Sequence, residues 1–144
     1  MGWTHYWECE AELPEETFSK AVEDCRVLFG KVETDISGSG GTGDAVLDSN
    51  NIVFNGADGL VCEDFSFLRI QIPRRNRDKA FAYCKTEHMP YDLCVQAALI
   101  ILKHHLGDMI IVTSDASGKD WQKAKDICQE YLGYGSYFEL GTIS

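Results

Sequence analysis

Positive charge is scarce in this sequence, and the scarcity excludes more than any motif does. Thirteen Lys and Arg residues stand against 23 Asp and Glu, giving a net charge of −10 over 144 residues and a pI near 4.7. Such a chain is repelled by phosphate backbones, so a non-specific nucleic-acid binder is excluded. Long apolar runs are missing too. The run at 93–102 is too short to span a bilayer, and no membrane partner is expected. Met1-Gly2-Trp3 opens with neither a basic start nor an apolar core, so no export leader is read. The cysteines at 9, 25, 62, 84, 94 and 128 are therefore read as free thiols in a reducing cytoplasm, not as three disulfides. Cys25, Cys94 and Cys128 fall at apolar phases of predicted helices, where a reduced Cys acts as a small hydrophobe. Paired metal-ligand spacings, C-x-x-C or H-x-x-x-H, are absent, as are internal repeats and any sign of a second domain.

What is present belongs to one folded domain: 44% hydrophobic and 11% aromatic residues in a length that supports its own core. The chain is organised around 84–107. From Leu93 to Leu102 only Gln96 is strongly polar, so this helix lacks a polar stripe and is expected to be buried on most sides. Asp92 is placed to cap it, Lys103, His104 and His105 suit its C-terminal end, and Gly107 stops it. Residues 2–12 alternate as a strand with Trp3, His5, Trp7 and Cys9 on its inner face. A helix follows from Pro14, with Phe18, Ala21, Val22, Cys25, Leu28 and Phe29 at helical spacing and Gly30 at its close. Strands are read at 44–48 and 51–55 (one hairpin), at 65–72 and at 109–112, the last covered on both faces. Ser117 to Asp120 resembles a capping box before a helix that buries Trp121, Ala124, Ile127, Cys128 and Tyr131. The order β-α-β-β-β-α-β-α predicts a single-domain α+β sandwich: a mostly antiparallel sheet of four or five strands, three helices, and a buried central helix at about 92–106.

Four candidate sites, and one glycine motif, compete with plainer readings. Cys84, His88, Cys94, His104 and His105 cluster around the central helix, but His104 and His105 point about 100° apart, and satisfied histidines are the better reading. Cys84 or Cys94 could be a nucleophile served by His5, His88 or His105, although a structural Cys explains them as well. Asp108, Ser114, Asp115 and Asp120 flank the 109–112 strand; such residues hold Mg²⁺ or move protons, and are also ordinary caps and turn formers. Gly38, Gly40 and Gly43 spell G-x-G-x-x-G, yet a helix precedes them and extended chain follows. That is the reverse of the dinucleotide-binding context, and a loop or lid is the reading kept.

The fourth candidate, an anionic-ligand pocket, has most in its favour. Six of the 13 basic residues fall between Arg69 and Lys85 in a chain that is acidic elsewhere. Arg74, Arg75, Arg77 and Lys85 would hold phosphate, Tyr6, Trp7 or Tyr91 would stack on a base, and Asn55 would read polar edges. The plainer reading is a solvated turn and core aromatics.

The segments Gly2-Trp3-Thr4-His5-Tyr6-Trp7, Phe54-Asn55-Gly56, Tyr83-Cys84-Lys85-Thr86, Pro90-Tyr91-Asp92 and Lys103-His104-His105-Leu106-Gly107 resemble a family of small uncharacterised proteins of bacteria, phages and some fungi. The resemblance implies no activity. A phage origin would imply a block on host defence, by sequestering a nucleotide signal or capping a host protein. The leading expectation is thus a non-enzymatic binder that sequesters a small anionic ligand such as a nucleotide, needing no cofactor and no metal. Its site would lie within one chain or between the subunits of a homo-oligomer. The alternatives are an acidic protein that blocks a partner's basic surface, and a small hydrolase using Cys84 or Asp115.

Overall fold

A computed structural model describes residues 3–143 as an α+β fold. In chain order its elements are β1 (Thr4–Glu10), α1 (Glu15–Phe29), β2 (Ile36–Ser37), β3 (Val46–Leu47), β4 (Asn51–Gly56), β5 (Phe65–Leu68), β6 (Lys79–Lys85), α2 (Asp92–Leu106), β7 (Ile110–Ser114) and α3 (Gln122–Leu132). The strands divide between two antiparallel sheets. One has the order β6-β1-β7; in the other β4 pairs with β2, β3 and β5. The sheets meet at a corner, where Leu13 N donates to Arg69 O (3.0 Å) and Gln71 N to Ala11 O (2.7 Å). This corner shortens the strand expected at 65–72: past Leu68 the chain leaves β4 and turns to the residues that follow β1.

The central helix is the one the apolar run predicts. Eleven of the fifteen residues of α2 are buried, because the helix packs against α1, α3 and β7 at once. Each fully buried Leu or Ile contributes about 1.5–3 kcal/mol, so truncating Leu99, which is fully buried, to Ala costs about 2–5 kcal/mol. The helix stops at Gly107 as expected, but with φ 57° and ψ −123° the glycine lies outside the left-handed helical region; Lys103 Nζ donates to Gly107 O and Ile110 O. The start differs. Asp92 is the first helical residue and makes no capping bond, its carboxylate being turned to partners described below.

On β1, His5, Trp7 and Cys9 face inward as the alternation requires. Trp7 packs on Phe65 and Phe67 at 5.3 and 5.5 Å between ring centroids, which ties the two sheets together. The strand β6 is the element the hydrophobic pattern conceals. Its inward residues are the small Ala80, Ala82 and Cys84, while the larger Phe81 and Tyr83 face outward, so its polarity reads inside out. On β7, Ile110 and Val112 are buried but Ile111 is only half-buried, so this strand is not covered fully on both faces. Ser117 and Asp120 do form a capping box, on a 3₁₀ turn, Gly118–Trp121, that leads into α3.

Candidate functional site

The structure separates the eight residues proposed for an anion pocket. Trp7 is fully buried between the sheets and offers no ring face to a ligand. Tyr91 is also fully buried, its hydroxyl donating to Glu63 O at 2.5 Å. Burial and the nearby Cys84 hold its phenol well above the usual range. Asn55 is saturated by its own loop. Its Nδ2 donates to Cys62 O (2.9 Å) and Asp64 Oδ1 (2.8 Å), and its Oδ1 accepts from Gly56 N and Cys62 N. All three are corrections to the expected pocket: their polar atoms are spent in building the core and the 56–64 turn.

Tyr6, Arg74 and Lys85 do share a surface, the outer face of the β6-β1-β7 sheet. Register places Tyr6 opposite Tyr83, Glu8 opposite Phe81 and Thr4 opposite Lys85. Tyr6, Phe81 and Tyr83 form a triangle with centroids 6.2, 6.3 and 6.4 Å apart. Arg74 Cζ sits 4.4 Å from the Phe81 centroid, a cation–π contact, while its Nη1 lies 3.2 Å from Glu8 Oε2. Lys79 pairs with Glu10 and Lys85 with Glu87, both at 2.9 Å. Arg75 and Arg77 stand exposed in the preceding turn, which Asn76 closes at φ 61°. Tyr6 Oη donates to Asp115 at 3.2 Å, and slight burial with that carboxylate raises its pKa.

The deepest polar cluster was not legible in the sequence. His5 Nε2 lies 2.6 Å from Asp92 Oδ1, and His5 Nδ1 lies 2.7 Å from Ser114 Oγ. Thr86 Oγ1 donates to Asp92 Oδ1 (2.6 Å) and Gln96 Nε2 to Asp92 Oδ2 (2.7 Å). A carboxylate only accepts, so His5 Nε2 donates to Asp92, and its Nδ1 shares a second bond with the Ser114 hydroxyl. Serine, imidazole and carboxylate in series is the arrangement of a nucleophile with its base. Here His5 is fully enclosed, with Trp121 edge-on at 4.9 Å, and Ser114 Oγ also accepts from Ala116 N at 2.9 Å. The cluster therefore acts as a staple joining β1, the turn after β6, α2 and β7.

Other sequence candidates resolve into structure. All six cysteines are free, and only Cys62 is not buried. Burial raises the Cys84 thiol far above its ordinary value, with Glu63 adding to it, which removes it as a nucleophile. Burial likewise pushes Cys94 up to about 12. Among the described residues no group of three or more His, Cys, Asp and Glu could hold a metal ion. The glycine loop is fastened: Ser39 Oγ and Gly40 N donate to Asp64 at 2.5 and 2.8 Å. His104 stacks on Tyr134 at 3.6 Å, and His105 and Tyr134 both bond Asp24 Oδ2, at 2.7 and 2.6 Å. No helix of the described residues is long and apolar enough to cross a membrane. Comparison with known protein families, curated proteins and solved structures finds no match for this chain.

Proposed function

We propose that the protein binds, without turnover, a planar anionic small molecule of the nucleotide class on the outer face of the β6-β1-β7 sheet, and so sequesters it. The observation that carries this reading is the triangle of Tyr6, Phe81 and Tyr83 on an open sheet face with Arg74 against it. Sheets normally turn large apolar side chains inward, so three rings placed outward, Tyr83 exposed and Tyr6 and Phe81 half-buried, favour contact with a flat partner. Arg74 lies against the face, Lys79 and Lys85 stand at the two ends of β6, and Arg75 and Arg77 in the turn before β6 add further donors for phosphate. Glu8, Glu10 and Glu87 already pair with three of these cations. A bound phosphate would compete with those carboxylates, so affinity should fall with added salt.

Thermal shift against a panel of mono-, di- and cyclic nucleotides tests the reading. Ligand at one hundred times Kd stabilises the fold by about 2.7 kcal/mol. Tyr83→Ala, at a side chain 57% exposed, should weaken binding about 5- to 150-fold with little effect on the unliganded Tm. A panel with no stabilising member, or a Tyr83→Ala protein that binds as tightly, would refute it.

A further inference from the structure

A second cavity, on the other side of β1's amino end, has a floor built from buried polar atoms. It encloses about 260 Å³ between the start of α2 and the start of α3. Asp92 and Gln96 form the floor at 4% and 3% exposure, Trp3 and His88 one wall, and Asp120 and Lys123 the rim. Because the Asp92 carboxylate only accepts, the Gln96 amide must turn its NH₂ toward it, which sends Oε1 the other way. That oxygen has no partner among the described residues. Among the described residues, the only polar side-chain atoms sealed from solvent without a partner are the indole nitrogens of Trp7 and Trp121. Gln96 Oε1 is therefore the part of this buried side chain that meets the cavity.

From this we infer that the cavity is a binding site for a small organic cation, a primary ammonium on a short carbon chain. The floor offers two acceptors, Gln96 Oε1 and the remaining lone pair of Asp92 Oδ2, whose one bond in the fold comes from Gln96. Two carboxylates, Asp92 and Asp120, outnumber the one ammonium, Lys123, and the chain's net charge of −10 draws cations generally. The indole of Trp3, stacked on His88 at 3.8 Å, gives the carbon chain an apolar wall. The volume suits a ligand smaller than drug-sized. An ammonium satisfies the unused acceptors, whereas a carboxylate of equal size would face like charge and an alcohol would bring no charge. This site is separate from the proposed nucleotide face and stands or falls independently of it.

The probes are butylammonium, butanol and butyrate at constant ionic strength, read by thermal shift and by the NMR signals of the Gln96 side-chain amide. Butylammonium should raise the Tm saturably and move the amide signals; butanol and butyrate should do neither. Lys123→Glu, at an exposed position, should tighten butylammonium binding severalfold, and Lys123→Gln should tighten it less. Gln96→Leu should abolish it. If Gln96→Leu fails to fold, the Lys123 pair decides. Equal responses to butylammonium and butanol, or affinity unmoved by charge at position 123, would overturn the assignment.

Discussion

The Asp92→Asn substitution tests the claim that one carboxylate holds four parts of the chain together. Asp92 accepts from His5, Thr86 and Gln96, at 2.6, 2.6 and 2.7 Å, and is 4% exposed. Asparagine keeps the shape but replaces one acceptor oxygen with a donor. One of the three donors then meets an NH₂ group and is left buried without a partner, and the others lose their charge assistance. An unsatisfied buried donor costs about 1–3 kcal/mol, and each bond to a charged group is worth about 1.5–3 kcal/mol. The favourable position of a carboxylate at the start of α2 is lost as well, at about 0.3–1 kcal/mol. Partial rearrangement offsets some of this, and a loss of about 3–5 kcal/mol is expected, in line with breaking buried pairs elsewhere. Against a total stability of about 5–15 kcal/mol that is a large fraction, equivalent to a Tm lower by about 10–15 °C. Urea unfolding measures it, with Glu87→Gln as control, since an exposed ion pair is worth at most about 1 kcal/mol. A loss under about 1 kcal/mol for Asp92→Asn would refute the staple.

Three further outcomes are expected of this fold. Native protein at pH 8 should react with a thiol reagent at Cys62 and leave the other five thiols protected until denatured. Burial pushes Cys9 and Cys128 up to about 12 and Cys25 well above its usual value, as it does Cys84 and Cys94; rapid labelling of two or more thiols would contradict this. Burial alone would raise the Asp64 pKa, but donors from Ser39, Gly40 and Asn55 together hold it below the usual carboxylate value. A depressed folded pKa contributes stability above the unfolded value and loses it as pH falls through the folded one. Proteolysis at the 38–43 loop should therefore rise in acid, and Asp64→Ala should show the same cleavage at pH 7. Tyr134→Phe removes the 2.6 Å bond to Asp24 and should cost about 1–2 kcal/mol by urea unfolding.

Local pattern was enough for most of the fold. The apolar run at 93–102 identified α2, alternation identified the inner face of β1, and glycine marked the ends of α1 and α2. The strand β6 was illegible because Ala80, Ala82 and Cys84 face the core while Phe81 and Tyr83 do not, reversing the contrast that a period-two reading relies on. The same reversal concealed the ring triangle. The polar staple was illegible for another reason: His5 and Ser114 are 109 positions apart, and each alone reads as a strand residue or a turn former. Asp92 at a helix start reads as a cap, and only tertiary contact shows its carboxylate engaged elsewhere. Asn55 and Tyr91 looked like ligand contacts because buried side chains that fasten loops use the same residue types as binding sites.

The place of β1 in its sheet has a consequence for how the chain is made. It is made before the other six strands described, yet it lies in the middle of its sheet, with β6 and β7 on its two sides. Neither neighbour exists until more than half of the sequence has been synthesised, and the second arrives only at Ile110–Ser114. Until Lys79–Lys85 is made, the backbone of 4–10 has no native strand to pair with, and such a segment is open to wrong partners. Slow synthesis, or a break in the gene upstream of β7, would leave a product whose opening strand stays adhesive rather than a smaller folded protein.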